Sequence, residues 1–104
     1  MAMFLVVLQR SGPEYDLSRS LEEQSGWTEH AAFMDGLVDE GVIVLGGVLA
    51  DEVRTAHAIE AGSEEEVRAI LSDDPWSGSH LQVRSIDGWT IKLDGRGRGQ
   101  PATP

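Results

Sequence analysis

The sequence predicts a single α+β domain in which strands and helices follow one another in the order βαββαβ. Two apolar segments without alternation, residues 3–9 and 42–45, are typical of central β-strands. An amphipathic stretch begins at Trp27, and a second one follows a capping box formed by Ser63 and Glu66. This order favours a four-stranded antiparallel sheet with both helices on one face, the ferredoxin-like arrangement.

The first helix is predicted from the side chains that share one of its faces. At about 100° per residue, the apolar arc holds six side chains: Trp27, His30, Ala31, Met34, Leu37 and Val38. Two helix starts are possible, a capping-box pattern at 20–23 and a second start near Gly26. The helical region is therefore either one long helix or two short ones. Gly41 is a natural C-terminal stop.

The two glycines after residues 42–45 allow a bulge or a close approach of two backbones. A hairpin connection over 49–53 then leads into a third strand, predicted at 54–60. This strand alternates, with Thr55, His57 and Ile59 on one face.

The second helix carries its apolar stripe on Val67, Ile70 and Leu71 and ends at Asp74, because the residue before Pro75 is pushed out of the helical region. A last strand, or a bent pair of strands around Gly88, is predicted over 81–93, with three apolar side chains on one face: Trp89, Ile91 and Leu93. The domain therefore covers 1–94, and 95–104 is expected to be a disordered tail.

Composition narrows the classes of partner. The 104 residues include 18 acidic and 8 basic side chains, and the formal net charge of -10 would repel a phosphate backbone. The absence of cysteine excludes disulfides and thiol catalysis and is compatible with a reducing compartment. The first apolar run, 2–8, is too short to span a membrane and lacks the marks of a signal peptide. We expect a cytoplasmic protein with no nucleic-acid or membrane partner.

A homodimer is predicted from a mismatch between strands and helices. The first two strands are apolar at every position, so both of their faces need cover, yet the helices cover only one face. A second copy of the chain, stacked sheet to sheet, would cover the other face.

His30 is the most informative candidate for chemistry, because an imidazole inside an apolar arc is desolvated and its surroundings can shift its pKa. A core histidine bonded to a backbone carbonyl is the alternative. Asp74 is the natural partner, since a carboxylate on one ring nitrogen would leave the other nitrogen as a general base, although Asp-Pro is also a common turn. His57 and His80 are expected to be structural or solvent-facing.

No cofactor or metal is predicted. The three histidines lack the close spacing of metal ligands, and the chain has no Walker or GxGxxG pattern between a strand and a helix.

Three segments together resemble the YciI-like (YCII-related) family over residues 3–93: WTEHAAFMDGLVDEGVIVLGGVL, DDPW and LQVRSIDGWTIKL. The resemblance implies a ferredoxin-like fold that dimerises through its sheets into an α/β barrel, similar to the muconolactone-isomerase-like group. It also implies that His30 and Asp74 face each other as a catalytic dyad, and one family member is a dehydrochlorinase acting on a chlorinated hydroxyquinol. Relatives commonly carry Gly-Gly-Pro-Leu where this chain has Val48 in place of proline, so substrate identity does not transfer.

The leading functional hypothesis is a cofactor-independent enzyme, a lyase or isomerase, that acts on a small cyclic or aromatic-derived acid or phenol by His30/Asp74 acid-base catalysis. Candidate substrate-binding residues are Trp27, Met34, Gly47 and Trp76, for which core packing is the alternative. A non-catalytic dimeric ligand-binding or accessory module is the second hypothesis. Heme or redox chemistry, as in other dimeric α/β barrels, is a third.

Overall fold

A computed structural model of the chain describes residues 1–96, so the part of the predicted tail from 97 to 104 lies outside the described residues. The elements are β1 (Ala2–Gln9), α1 (Trp27–Asp39), β2 (Ile43–Val48), β3 (Arg54–Ala61), α2 (Glu64–Ser72) and β4 (Gln82–Gly88), with a short 3₁₀ turn at Leu21–Glu23. The predicted α+β class and the order βαββαβ are confirmed.

The four strands form one antiparallel sheet in the order β2-β3-β1-β4, which is the ferredoxin-like order. Val6 of the central β1 lies opposite His57 of β3 and Ile86 of β4, so these three side chains share a face. The core forms on this face, where β1 and β3 pack with both helices. Its fully or nearly fully buried members include Val6, Ile59, Leu37, Val67 and Leu71.

The helical region before β2 consists of two short pieces rather than one long helix. The 3₁₀ turn ends before Gly26, whose φ of 72° is left-handed and separates it from α1. At the other end, Gly41 has a φ of 78° and donates its N–H to Val38 at 3.0 Å. Gly41 therefore stops the helix as predicted.

The capping box predicted for α2 is formed only in part, because Glu66 reaches back to Gly62 instead of to the N-cap residue Ser63. The Oγ of Ser63 accepts the N–H of Glu66 at 3.1 Å, and the carboxylate of Glu66 accepts the N–H of Gly62 at 3.0 Å. Within residues 1–96, no helix is long and apolar enough to cross a membrane.

Two strand boundaries differ from the prediction. β2 runs from Ile43 to Val48 instead of 42–45, because its glycines pair with β3 and do not interrupt the ladder. β4 ends at Gly88 instead of continuing to 93, because Gly88 lies opposite Phe4 and little of β1 remains to pair with. Leu93, predicted on a strand face, is almost fully exposed.

Candidate active site

The centre of the site is a buried contact between α1 and the segment after α2. The Nδ1 of His30 lies 2.8 and 2.9 Å from the two carboxylate oxygens of Asp74, which is 44 residues away in the chain. Both residues are buried. A hydrogen bond to a carboxylate at these distances is charge-assisted and fixes the plane of the imidazole.

Asp74 is held by the end of α2. Its backbone N–H donates to the carbonyl of Leu71 at 3.1 Å, and its Oδ1 accepts the backbone N–H of Trp76 at 2.9 Å. The carboxylate thus turns back over the Asp-Pro turn, as aspartate side chains commonly do at helix ends and turns. Contacts within its own segment therefore orient the Asp74 carboxylate independently of His30.

The indole of Trp76 stacks against the imidazole of His30. The two rings stack with centroids 4.1 Å apart and planes 6° apart, while His80 stacks on the opposite face of the indole at 4.6 Å and 12°. The indole N–H donates to the carbonyl of Ser25 at 2.8 Å, and Trp76 is only 1% exposed. His30 therefore has little freedom to rotate away from Asp74.

His80 has a structural role, one of the two expected for it. Its two ring nitrogens lie 2.9 Å from the hydroxyls of Ser25 and Ser79. Since both nitrogens are engaged, His80 closes the stack and leaves no nitrogen for a ligand.

A cavity of about 320 Å³ opens between α1 and the sheet. His30 lines it together with Trp27 and Met34 on the helix side, and Thr55 and His57 line it on the sheet side. The Nε2 of His30 makes no hydrogen bond to any residue in 1–96. With Nδ1 donating to Asp74, Nε2 carries the lone pair and can accept a proton from a molecule in the cavity.

Among the residues predicted for the site, His30, Trp27, Met34, Gly47 and Trp76 all line this cavity. Asp74 does not line it, because it lies behind His30. Trp76 both lines the cavity and stacks on His30 and His80. Its assignment as a substrate-binding residue stays a prediction.

Sequence reasoning missed His57 as a member of the site. His57 is buried, and its Nδ1 has no hydrogen-bond partner among the described residues. Burial lowers the pKa of His57, and neighbouring His30 adds to the lowering. A contact with the backbone of Val6 and, less strongly, Asp74 act in the opposite direction. The alternation of β3 could have indicated this position, because it put His57 on the same face as the core residue Ile59.

Arg10 was missed entirely, because it follows the first strand directly and looks like the start of a turn. It is only 8% exposed and lines the cavity. Its Nη1 donates to the carbonyl of Glu52 at 2.8 Å, whereas its Nε is buried without a partner among residues 1–96.

Comparisons of this chain with models of protein families, with curated proteins and with solved structures find no match. Within the described part of the chain, no group of three or more histidine, aspartate or glutamate side chains is positioned to hold a metal ion.

Proposed function

We propose that this chain is a YciI-like, cofactor-independent enzyme in which His30 and Asp74 transfer a proton to or from a small cyclic or aromatic-derived acid or phenol. The observation that carries the proposal is the buried bond between Nδ1 of His30 and the Asp74 carboxylate, in a histidine that lines the cavity and whose Nε2 has no hydrogen-bond partner within residues 1–96. The reaction class is elimination or isomerisation, so the enzyme would be a lyase or an isomerase.

The mechanism assigns one task to each residue. Nε2 of His30 takes a proton from a carbon of the substrate, and the electron pair of the broken C–H bond becomes a new double bond. In an elimination the leaving group departs from the adjacent carbon with its own electron pair, and in an isomerisation the proton returns at another carbon. Asp74 keeps Nδ1 protonated and stabilises the imidazolium that forms.

The cavity supports a small and largely apolar substrate. Its volume of about 320 Å³ is at the lower end of the range typical of ligand sites. Trp27 and Met34 provide ring-sized apolar walls beside His30. These features favour a single-ring compound over a nucleotide or a chain of sugars.

We also propose that the enzyme is a cytoplasmic homodimer joined through the outer face of the sheet. Leu5, Val7 and Ala56 point to this face, as does Leu45, which is 68% exposed. A polar rim formed by Gln9, Arg54 and Glu60 surrounds the apolar centre. An apolar centre with a polar rim is the usual anatomy of a protein interface.

The alternative is a non-catalytic module in which His30 and Asp74 form a structural pair. The buried stack of His30, Trp76 and His80 favours it, because such stacking also stabilises a core. Substitution of the dyad separates the two functions.

The experiment uses His30→Asn and Asp74→Asn, with Asp73→Asn as the matched control, because Asp73 is adjacent and exposed. Lactone acids and chlorinated phenols are incubated with each protein in D₂O and followed by proton NMR for solvent exchange and isomerisation, and by a chloride electrode for chloride release. We expect both dyad variants to fold and to lose activity by about 10²- to 10⁴-fold, with the control unchanged. Unfolding of both dyad variants would favour the structural alternative. Full activity in either variant would contradict the catalytic role of the dyad.

A further inference from the structure

Arg10 is a buried cation that no acidic side chain within residues 1–96 neutralises. It follows the last residue of β1, and its backbone N–H donates to the carbonyl of Val53 at 2.8 Å. The guanidinium lies beside the ring of Tyr15, with 5.9 Å between Cζ and the ring centroid. Its one side-chain hydrogen bond within residues 1–96 goes to the backbone carbonyl of Glu52.

Arg10 differs in this respect from four arginines that are exposed. Four exposed arginines form ion pairs with nearby carboxylates: Arg19, Arg54, Arg68 and Arg96. None of the ion pairs within residues 1–96 involves Arg10. Exposed arginines do not need such partners, because water solvates them, whereas a buried guanidinium without an anion is costly. The burial of Arg10 therefore indicates an anion that comes from outside the chain.

Two further polar atoms are unsatisfied on the same wall. The Oγ1 of Thr55 and the Nδ1 of His57 are buried without partners among the described residues, as is the Nε of Arg10. Thr55 lies opposite Leu8, and Arg10 follows β1 two residues beyond Leu8. All three side chains line the cavity that His30 lines. Unsatisfied buried polar groups are rare in folded proteins, so three in one cavity indicate a polar ligand group.

We propose that Arg10 and Thr55 form a carboxylate-binding subsite in this cavity, opposite the His30 side. The ligand is a small monocarboxylate with a ring-sized apolar body, which lies against Trp27 and Met34. The guanidinium matches a carboxylate with two parallel hydrogen bonds, a geometry that a neutral phenol cannot use. Identification of this substrate class rests on the proposed function, but binding of the carboxylate does not require turnover.

The net charge of the chain disfavours nonspecific binding of anions. At a net charge of -10, the protein repels anions over most of its surface. A saturable interaction with a small carboxylate therefore reports a local cationic site.

The test is an NMR chemical-shift titration of the folded chain with benzoate, benzamide and inorganic phosphate at pH 7. Benzoate and benzamide have the same ring and nearly the same shape, and they differ in charge. We expect benzoate to bind about 10- to 100-fold more tightly than benzamide, the range expected for a charged hydrogen-bonded contact. Arg10→Gln removes this preference, Arg10→Lys keeps part of it, and Arg68→Gln, an exposed arginine on α2, leaves it unchanged.

Equal binding of benzoate and benzamide to the native chain would overturn the inference, as would an unchanged preference in Arg10→Gln. Tighter binding of phosphate than of benzoate would also overturn it, in favour of a phosphate site. If Arg10→Gln does not fold, the native comparison and Arg10→Lys decide. His30→Asn separates the two proposals, because it should lose turnover and keep the Arg10-dependent binding of benzoate. Arg10-dependent benzoate binding in a native chain that shows no turnover would contradict the proposed enzyme and retain the subsite.

Discussion

At the scale of single residues, the site combines groups that are fully satisfied with groups that are not. His30 has one nitrogen on Asp74 and its ring on Trp76, so its orientation is determined by contacts within the chain. His57 and Arg10, in contrast, each keep a buried nitrogen without a partner among the described residues. A well-held imidazole beside unsatisfied polar groups is the arrangement expected where a ligand completes the site.

The lowered pKa of His57 makes stability depend on pH. Below its ordinary pKa of 6.5, the unfolded chain binds a proton at His57 that the folded chain does not. The free energy of unfolding contributed by His57 is therefore present above pH 6.5 and lost as pH falls toward the folded pKa, at no more than about 1.4 kcal/mol per pH unit. Urea unfolding between pH 7.5 and 5 should show a smaller acid loss in His57→Asn than in the native chain. Identical slopes would contradict this assignment.

At the scale of elements, β2 shows why two adjacent glycines are not equivalent. A Cβ on Gly46 would lie 2.7 Å from the Cδ2 of His57, closer than real contacts allow, whereas a Cβ on Gly47 meets no atom within 4 Å. Gly46 pairs with His57 across the ladder between β2 and β3, and Gly47 pairs with Ala56. The imidazole of His57 therefore occupies space that only glycine at 46 leaves open.

Gly46→Ala and Gly47→Ala form a matched pair that tests this packing. We expect Gly46→Ala to lower the free energy of unfolding by about 1–3 kcal/mol, because the buried imidazole must move. Gly47→Ala should change it by no more than about 1 kcal/mol. Chemical denaturation of both variants measures the difference, and equal losses would show that His57 is not held against Gly46.

At the scale of the whole molecule, the sheet has one face in the core and one face with apolar side chains in contact with solvent. Leu45 and Trp89 are exposed on or beside the outer face, next to half-buried Leu5 and Val7. Sheet faces of this kind are commonly covered by a second layer. The proposed homodimer would provide that layer with a second copy of the same sheet.

Leu45→Asp tests the dimer, with Leu17→Asp as the control, because Leu17 is 77% exposed in the loop before α1. Sedimentation equilibrium of the native chain should give twice the chain mass of 11.3 kDa. Leu45→Asp should shift the population toward the monomer, because it buries a charge at the centre of the interface, and Leu17→Asp should not. A native chain that sediments as a monomer would sink the proposal.

Sequence reasoning alone predicted the order of elements, the Ser63 cap of α2, the helix stop at Gly41 and the position of His30 in the apolar face of α1. These features follow from local periodicity and from caps formed within a few residues, which any reader of the chain can see. Asp74 was a candidate partner of His30 from its place before Pro75, and the family resemblance implied that the two residues face each other. No local pattern connects two residues 44 positions apart.

The ends of β2 and β4 could not be predicted from the sequence, because a strand continues as long as the neighbouring strand has backbone N–H and C=O groups to pair with. The tertiary structure also decided which polar atoms lack partners. Arg10 looks like a turn residue and His57 like an ordinary strand residue until the sheet and α1 are packed together. Burial and hydrogen-bond partners depend on residues far away in the chain, and for that physical reason the cavity and its unsatisfied wall were not visible in the sequence.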